Sequence, residues 1–185
     1  SDAVETLMLF EPSPVITLGS KSSDNDLLAD EETLRARGVA IQSVDRGGHT
    51  TYHGPGQLIA YPVFRLIPQE RDLHLLLRAL EIAIVRTLEQ WGIESRTDSD
   101  HTGVWVQHRK IASIGMSVRR WVTGHGSSLC ISGDLSPFRW IVACGIHDCP
   151  FTSMEQELGT APRFDEVETA LSSNLLEVFN RTASS

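Results

Sequence analysis

The chain has 185 residues, 16 Lys and Arg against 24 Asp and Glu for a net charge of −8, and 41% hydrophobic residues. That length and apolar fraction suit one globular domain, read here as spanning 1–185, and exclude a disordered, collagen-like or low-complexity chain. The acidic balance speaks against a nucleic acid as main partner, and the longest apolar run, residues 140–145, is far short of the roughly 20 residues a membrane-spanning helix needs.

In chain order, residues 7–10 and 15–18 read as short strands on either side of Pro12 and Pro14, and 26–37 as a short helix. Residues 39–44 and 57–64 read as further strands with a Gly-rich loop between them. Leu73, Leu76, Leu77, Leu80, Ile84, Leu88 and Trp91 recur at spacings of three and four, so a helix is expected from an Asp72 N-cap to Trp91, ended by Gly92 at C′. Strands follow at 103–106, 110–122 and 125–132, with Thr123-Gly124 read as a hairpin turn. Residues 164–179 form a last amphipathic helix, with Phe164, Val167, Leu171, Leu175 and Phe179 on one face. A few helices among many strands, without regular alternation, indicate an α+β fold built on a mixed β-sheet packed with helices.

Three stretches are candidates for chemistry. The first, Arg46-Gly47-Gly48-His49-Thr50-Thr51-Tyr52-His53-Gly54-Pro55-Gly56-Gln57, spends four glycines where backbone must approach something closely, a ligand or simply the next strand. The second is Arg109-Lys110-Ile111-Ala112-Ser113-Ile114-Gly115. Lys110 is one of only two lysines, with Lys21, against 14 arginines; a site that needs a compact or titratable cation would keep Lys, although a surface lysine at a strand edge fits as well. The third runs from Ile141 to Pro150 and holds Cys144-Gly145, an open setting for a nucleophile at the end of an apolar strand. Burial of an inert thiol is the alternative there, and Cys144, His147 and Cys149 also read as a weak metal-ligand set. Three cysteines, Cys130, Cys144 and Cys149, do not suggest a disulfide framework and suit a reducing cytoplasm.

Together these stretches resemble the lipoyl(octanoyl) transferase family, through Arg46-Gly47-Gly48, Thr51 to Gln57, Gly103-Val104-Trp105-Val106 ahead of Lys110 to Gly115, His125-Gly126, and Asp134 to Phe138 leading to Cys144-Gly145. The resemblance implies the catalytic-domain fold of biotin and lipoate ligases and transfer of an octanoyl group from acyl carrier protein to a lysine of a lipoyl domain. Acceptors would be the E2 subunits of 2-oxoacid dehydrogenases and the glycine cleavage H protein. It also implies Cys144 as acyl-thioester nucleophile and Lys110 as its partner. The substrate pocket would be lined by Arg46, Gly47, Gly48, His49, Thr50, Thr51, Tyr52 and His53, by Ser113, Ile114 and Gly115, and by Gly126, Ser127 and Ser128. Departures from the pattern are Ala143 in place of a frequent Pro, Ser127 and Ser128 in place of an apolar residue and Ala, and Asp148-Cys149-Pro150. An N-terminal segment that the family usually carries ahead of the first strand is expected to be missing.

The chemistry agrees with that reading. A thioester donor is already activated, so no ATP, metal or other cofactor is expected. A nearby ammonium favours the Cys thiolate and can exchange the proton of the attacking lysine. Because such partners are acidic and the chain is too, a local basic rim is expected, with Arg119 and Arg120 as candidates. Two other readings stay open: an ATP-dependent lipoate or biotin ligase of the same fold, which needs no cysteine, and a non-catalytic acyl-binding relative.

Overall fold

The computed structural model describes residues 5–182. Among the described residues, nine strands form two sheets. β1 (Thr6–Phe10), β5 (Gln57–Val63), β9 (Val122–Cys130), β8 (Arg109–Arg119), β7 (Val104–Val106) and β6 (Arg96–Thr97) make a six-stranded sheet in that order, antiparallel throughout. β3 (Ala40–Ser43), β2 (Val15–Leu18) and β4 (Thr51–His53) make a second sheet, in which β2 runs parallel to β3 and antiparallel to β4. The α+β architecture is as expected, and the mixed pairing belongs to the smaller sheet.

The large sheet is covered by two long helices, α2 (Leu73–Glu89) and α4 (Phe164–Val178); α1 (Glu31–Ala36) and α3 (Met154–Leu158) are short. Asp72 caps α2 by accepting from the His74 and Leu75 amides. At its other end Gly92 (φ 69°) donates to Glu89 O and Ile93 to Leu88 O, the paired bonds of a Schellman ending. Leu80, Ile84 and Leu88 of α2 are fully buried against Leu171 and Leu175 of α4 and Leu58, Ile111 and Leu129 of the sheet. Each such side chain contributes about 1.5–3 kcal/mol on burial. A second core, with Ile16, Leu34, Tyr52 and Phe138, lies under the small sheet. No described helix is long and apolar enough to cross a membrane.

Four expectations need correcting. Residues 26–37 are α-helical only over Glu31–Ala36, with Asp26 ending a separate 3-10 turn; Asp26 spends its carboxylate on the Ser23 and Thr50 hydroxyls while Asp30 caps the α-helix through Thr33 N. The β8–β9 turn is at Arg120 and Trp121, which both take positive φ (52° and 61°) as a two-residue type I′ turn requires. Thr123 and Gly124 instead pair with Val118 and Ser117 inside the ladder, and a Cβ on Gly124 would stand 2.9 Å from Ser117 Oγ. The Gly-rich stretch is not all loop: Thr51–His53 form β4, too short to register as periodicity. Finally, Cys144 does not end a strand. Ile141 makes a single bridge to Leu27, and Ala143–Gly145 then turn sharply with Cys144 in the left-handed region (φ 57°, ψ 22°).

Candidate active site

The Gly-rich stretch is organised around one side chain. Arg46 is 7% exposed, and its guanidinium donates to Thr17 O and Oγ1 at 2.8 Å each, to His49 O at 2.7 Å and to Gly47 O at 3.1 Å. Burial opposes its charge, while Cys144 and Tyr61 nearby favour it. A Cβ on Gly19 would lie 2.4 Å from Gly48 O and 2.5 Å from Arg46 Nη1, so glycine is needed where the two loops meet.

Beside this knot opens a cavity of about 330 Å³. Arg46, Gly48, His49, Thr51 and His53 line one side. Ser113, Ile114 and Gly115 of β8, and His125, Gly126, Ser127 and Ser128 of β9, line another; Cys144, Gly145 and Lys110 face into it as well. The structure therefore gathers Cys144, Lys110 and eleven of the fourteen expected pocket residues. The three others turn away. Gly47 donates to Met116 O, Thr50 is fully buried with its hydroxyl on Ser22 Oγ and Asp26 Oδ2, and Tyr52 packs edge-on to Phe138 in the second core.

Sequence reasoning missed Lys21, Tyr61, Asp100, His101, Thr102 and Ile146 in the wall. Lysine scarcity was a usable signal for Lys21, since both lysines of the chain line this cavity. Tyr61 lies in a regular strand, edge-on to His125 at 5.4 Å, and nothing in its neighbourhood marks it. Among the described residues the hydroxyls of Thr51 and Ser127 are buried without a hydrogen-bond partner, so the wall carries unpaired polar atoms.

Cys144 is half-buried. Its N–H donates to Thr50 O at 2.9 Å and its Sγ stands 3.8 Å from Ser113 Oγ. Lys110 is 1% exposed, its ammonium donating to Thr102 O at 2.9 Å and lying 5.1 Å from the Trp105 ring centroid. The two groups share a cavity but are bonded to other partners, Ser113 and Thr102. The remaining thiols are poor nucleophiles: burial pushes Cys130 up to about 12, and burial raises Cys149 to about 11, an effect that Lys110 opposes and Cys144 reinforces. Burial pulls His53 down to about 4, leaving it neutral near pH 7 beside Gln57 Oε1 at 3.3 Å. Cys144, His147 and Cys149 do not converge on a metal position, and no group of three or more such side chains does so among the described residues.

This arrangement sets a half-buried thiol and a buried ammonium in the wall of one cavity, the groups that acyl transfer through a thioester requires. Residues 1–176 match the family described as the lipoyl protein ligase A/B catalytic domain. Among curated proteins, the chain is 40% identical over 180 residues to an octanoyltransferase of Caldicellulosiruptor bescii, covering 96% of this chain and 79% of that one. It is 44% identical over 178 residues to an octanoyltransferase of Solibacter usitatus, covering 96% and 80%. Solved structures share the fold at lower identity. A lipoate-protein ligase A bound with ATP superposes with a TM-score of 0.82 at 15% identity, over 99% of this chain and 76% of that one. A biotin protein ligase from Aquifex aeolicus gives 0.56 at 16% identity, over 89% and 68%. By sequence match and by fold, the chain belongs to the lipoyl protein ligase A/B catalytic domain family.

Proposed function

We propose that the chain is an octanoyltransferase, the activity for which its relatives are named, and that it carries the octanoyl group on Cys144 between acyl carrier protein and a lysine of a lipoyl domain. The observation that carries this reading is the placement of Cys144: on a left-handed turn, alone of the three thiols lining the cavity, which it shares with the buried ammonium of Lys110. In the first step the Cys144 sulfur attacks the donor thioester, the acyl–sulfur bond to the carrier breaks, and the carrier thiol leaves with a proton. In the second the acceptor lysine attacks the new thioester, an amide forms, the acyl–Sγ bond to Cys144 breaks, and the Cys144 thiol is regenerated with the proton the amine gives up. Lys110 supplies positive charge to the anionic sulfur in both steps and passes the amine proton on. The Cys144 N–H is already committed to Thr50 O, so the tetrahedral oxygen has to draw on other donors. We place the reaction in the cytoplasm, which suits three free thiols.

Intact mass after incubation with octanoyl acyl carrier protein tests the covalent step. Wild type is expected to gain one octanoyl group that hydroxylamine removes, and Cys144→Ser to gain none. A folded wild type that takes up no acyl group, but modifies a lipoyl domain when given ATP and free octanoate, would favour the ligase reading.

Partner docking gives a second test. Arg119 and Arg120 are exposed at the β8–β9 turn, where Arg71 also lies 4.7 Å over the Trp121 ring. Reversing both to Glu should raise the KM for acyl carrier protein about tenfold and flatten its salt dependence, with octanoyl-CoA turnover preserved. Unchanged kinetics with the carrier protein would remove this rim from the docking surface.

A further inference from the structure

The mechanism above leaves one fully buried carboxylate without a role. Glu81, in the middle of α2, is 1% exposed. Its Oε1 accepts from the Gly103 amide at 2.9 Å, and its Oε2 accepts from Arg78 Nη1. The Gly103 N–H belongs to the same peptide group as Thr102 C=O, and that carbonyl accepts the Lys110 ammonium at 2.9 Å. One peptide thus stands between a buried cation in the cavity and a buried anion on a helix, its oxygen turned to the first and its N–H to the second. Such a chain polarises the amide, strengthening both bonds, and it defines the direction in which the carbonyl points.

The space around this peptide leaves Lys110 little freedom. Gly103 takes φ +137°, and a Cβ there would stand 2.6 Å from Lys110 Cε and 2.7 Å from Ala112 O. Arg78 also donates to Asp98 O, so the segment from Asp98 to Gly103 is tied to α2 at two points.

We infer that Glu81 is a positioning residue for Lys110, acting through the Thr102–Gly103 peptide. It orients the carbonyl that holds the ammonium at the cavity wall and never touches substrate. The inference rests on the octanoyltransferase reading, in which Lys110 serves the chemistry. It follows that an acceptor at position 81 is the feature required for rate: a Gln retains an oxygen for Gly103 N–H, and a Leu of similar size does not.

The test is steady-state transfer of octanoyl from octanoyl-CoA and from acyl carrier protein by wild type, Glu81→Gln and Glu81→Leu. The folded fraction of each is measured separately by thermal melting. Glu81→Gln should keep kcat within about threefold of wild type. Glu81→Leu should lose about 30-fold in kcat per folded molecule, with KM for either donor little changed and alkylation of Cys144 by iodoacetamide slowed in parallel. If Glu81→Leu melts earlier but turns over normally per folded molecule, Glu81 is only a structural support and the inference fails. Equal losses in Glu81→Gln and Glu81→Leu would also overturn it, since the retained acceptor would then confer nothing. Failure of the function itself would look different, because wild type would then transfer no octanoyl group from either donor.

Discussion

Lys110→Met should lower octanoyl transfer by about 10³-fold while the protein stays folded. Three observations set this expectation. Lys110 is 1% exposed in the cavity wall, it is a buried cation of β8 lining the same cavity as the candidate nucleophile, and no other lysine is within the sheet. A positioned acid–base group contributes roughly 10²–10⁴-fold, which is the role the proposed function gives Lys110. Stability should change little. Removing a buried ammonium that has no carboxylate bonded to it relieves desolvation, whereas Thr102 O loses its donor at a cost of about 1–3 kcal/mol. Met fills a similar volume and keeps contact with the Trp105 ring. Lys110→Arg should fare no better, because Gly103 packs against Lys110 Cε and a guanidinium can neither present a compact charge there nor give up a proton. The measurements are kcat/KM for transfer, the rate of Cys144 alkylation and the melting temperature. Near-normal turnover in Lys110→Met would take the lysine out of the chemistry.

The fold class was legible in the sequence, and most of the residues singled out there line one cavity, but the local turns that place them were not legible. Cys144 and Lys110 stood out through composition and a specific resemblance, and both line the cavity; Lys110 stands near the start of β8 as read, whereas the strand end read at Cys144 was inaccurate. The reason is physical. Thr123-Gly124 carries the turn-like composition, but Gly124 is there to clear Ser117, and the true turn uses Arg120 and Trp121, which no propensity favours at positive φ. The apolar run before Cys144 looks like a strand because Ile141, Val142 and Ala143 are all buried; Ile141 and Ala143 fill the second core without a continuous strand. The long periodic helix α2, by contrast, showed its Asp72 and Gly92 caps and most of its buried face, though Leu73 of that face is exposed and the helix stops at Glu89 rather than Trp91. Glu81 illustrates the limit: within α2 it reads as one more polar position, and its burial depends on Gly103, 22 residues away.

Arg46 is where structure alters the role expected from the sequence. Read as a pocket residue, its guanidinium would be offered to substrate; in the fold it is consumed by Thr17, Gly47 and His49. Arg46→Lys should therefore behave as a scaffold mutation. A single ammonium cannot reproduce the planar fork, and at least one or two buried carbonyls would be left unpaired. The expected cost is about 3 kcal/mol, out of the 5–15 kcal/mol typical of a folded domain, or a fall in melting temperature of about 10 °C. Transfer should drop about 100-fold even in the folded fraction, because the loop that Arg46 shapes holds the nucleophile: Thr50 O receives the Cys144 N–H, and the His49 ring lies where a Gly145 Cβ would be. A displacement of about 1 Å there is enough for such a loss. A substrate-binding arginine predicts the opposite pattern, a raised KM with kcat and melting temperature preserved, since lysine keeps the charge. Thermal melting together with KM and kcat for octanoyl transfer by Arg46→Lys separates the two roles.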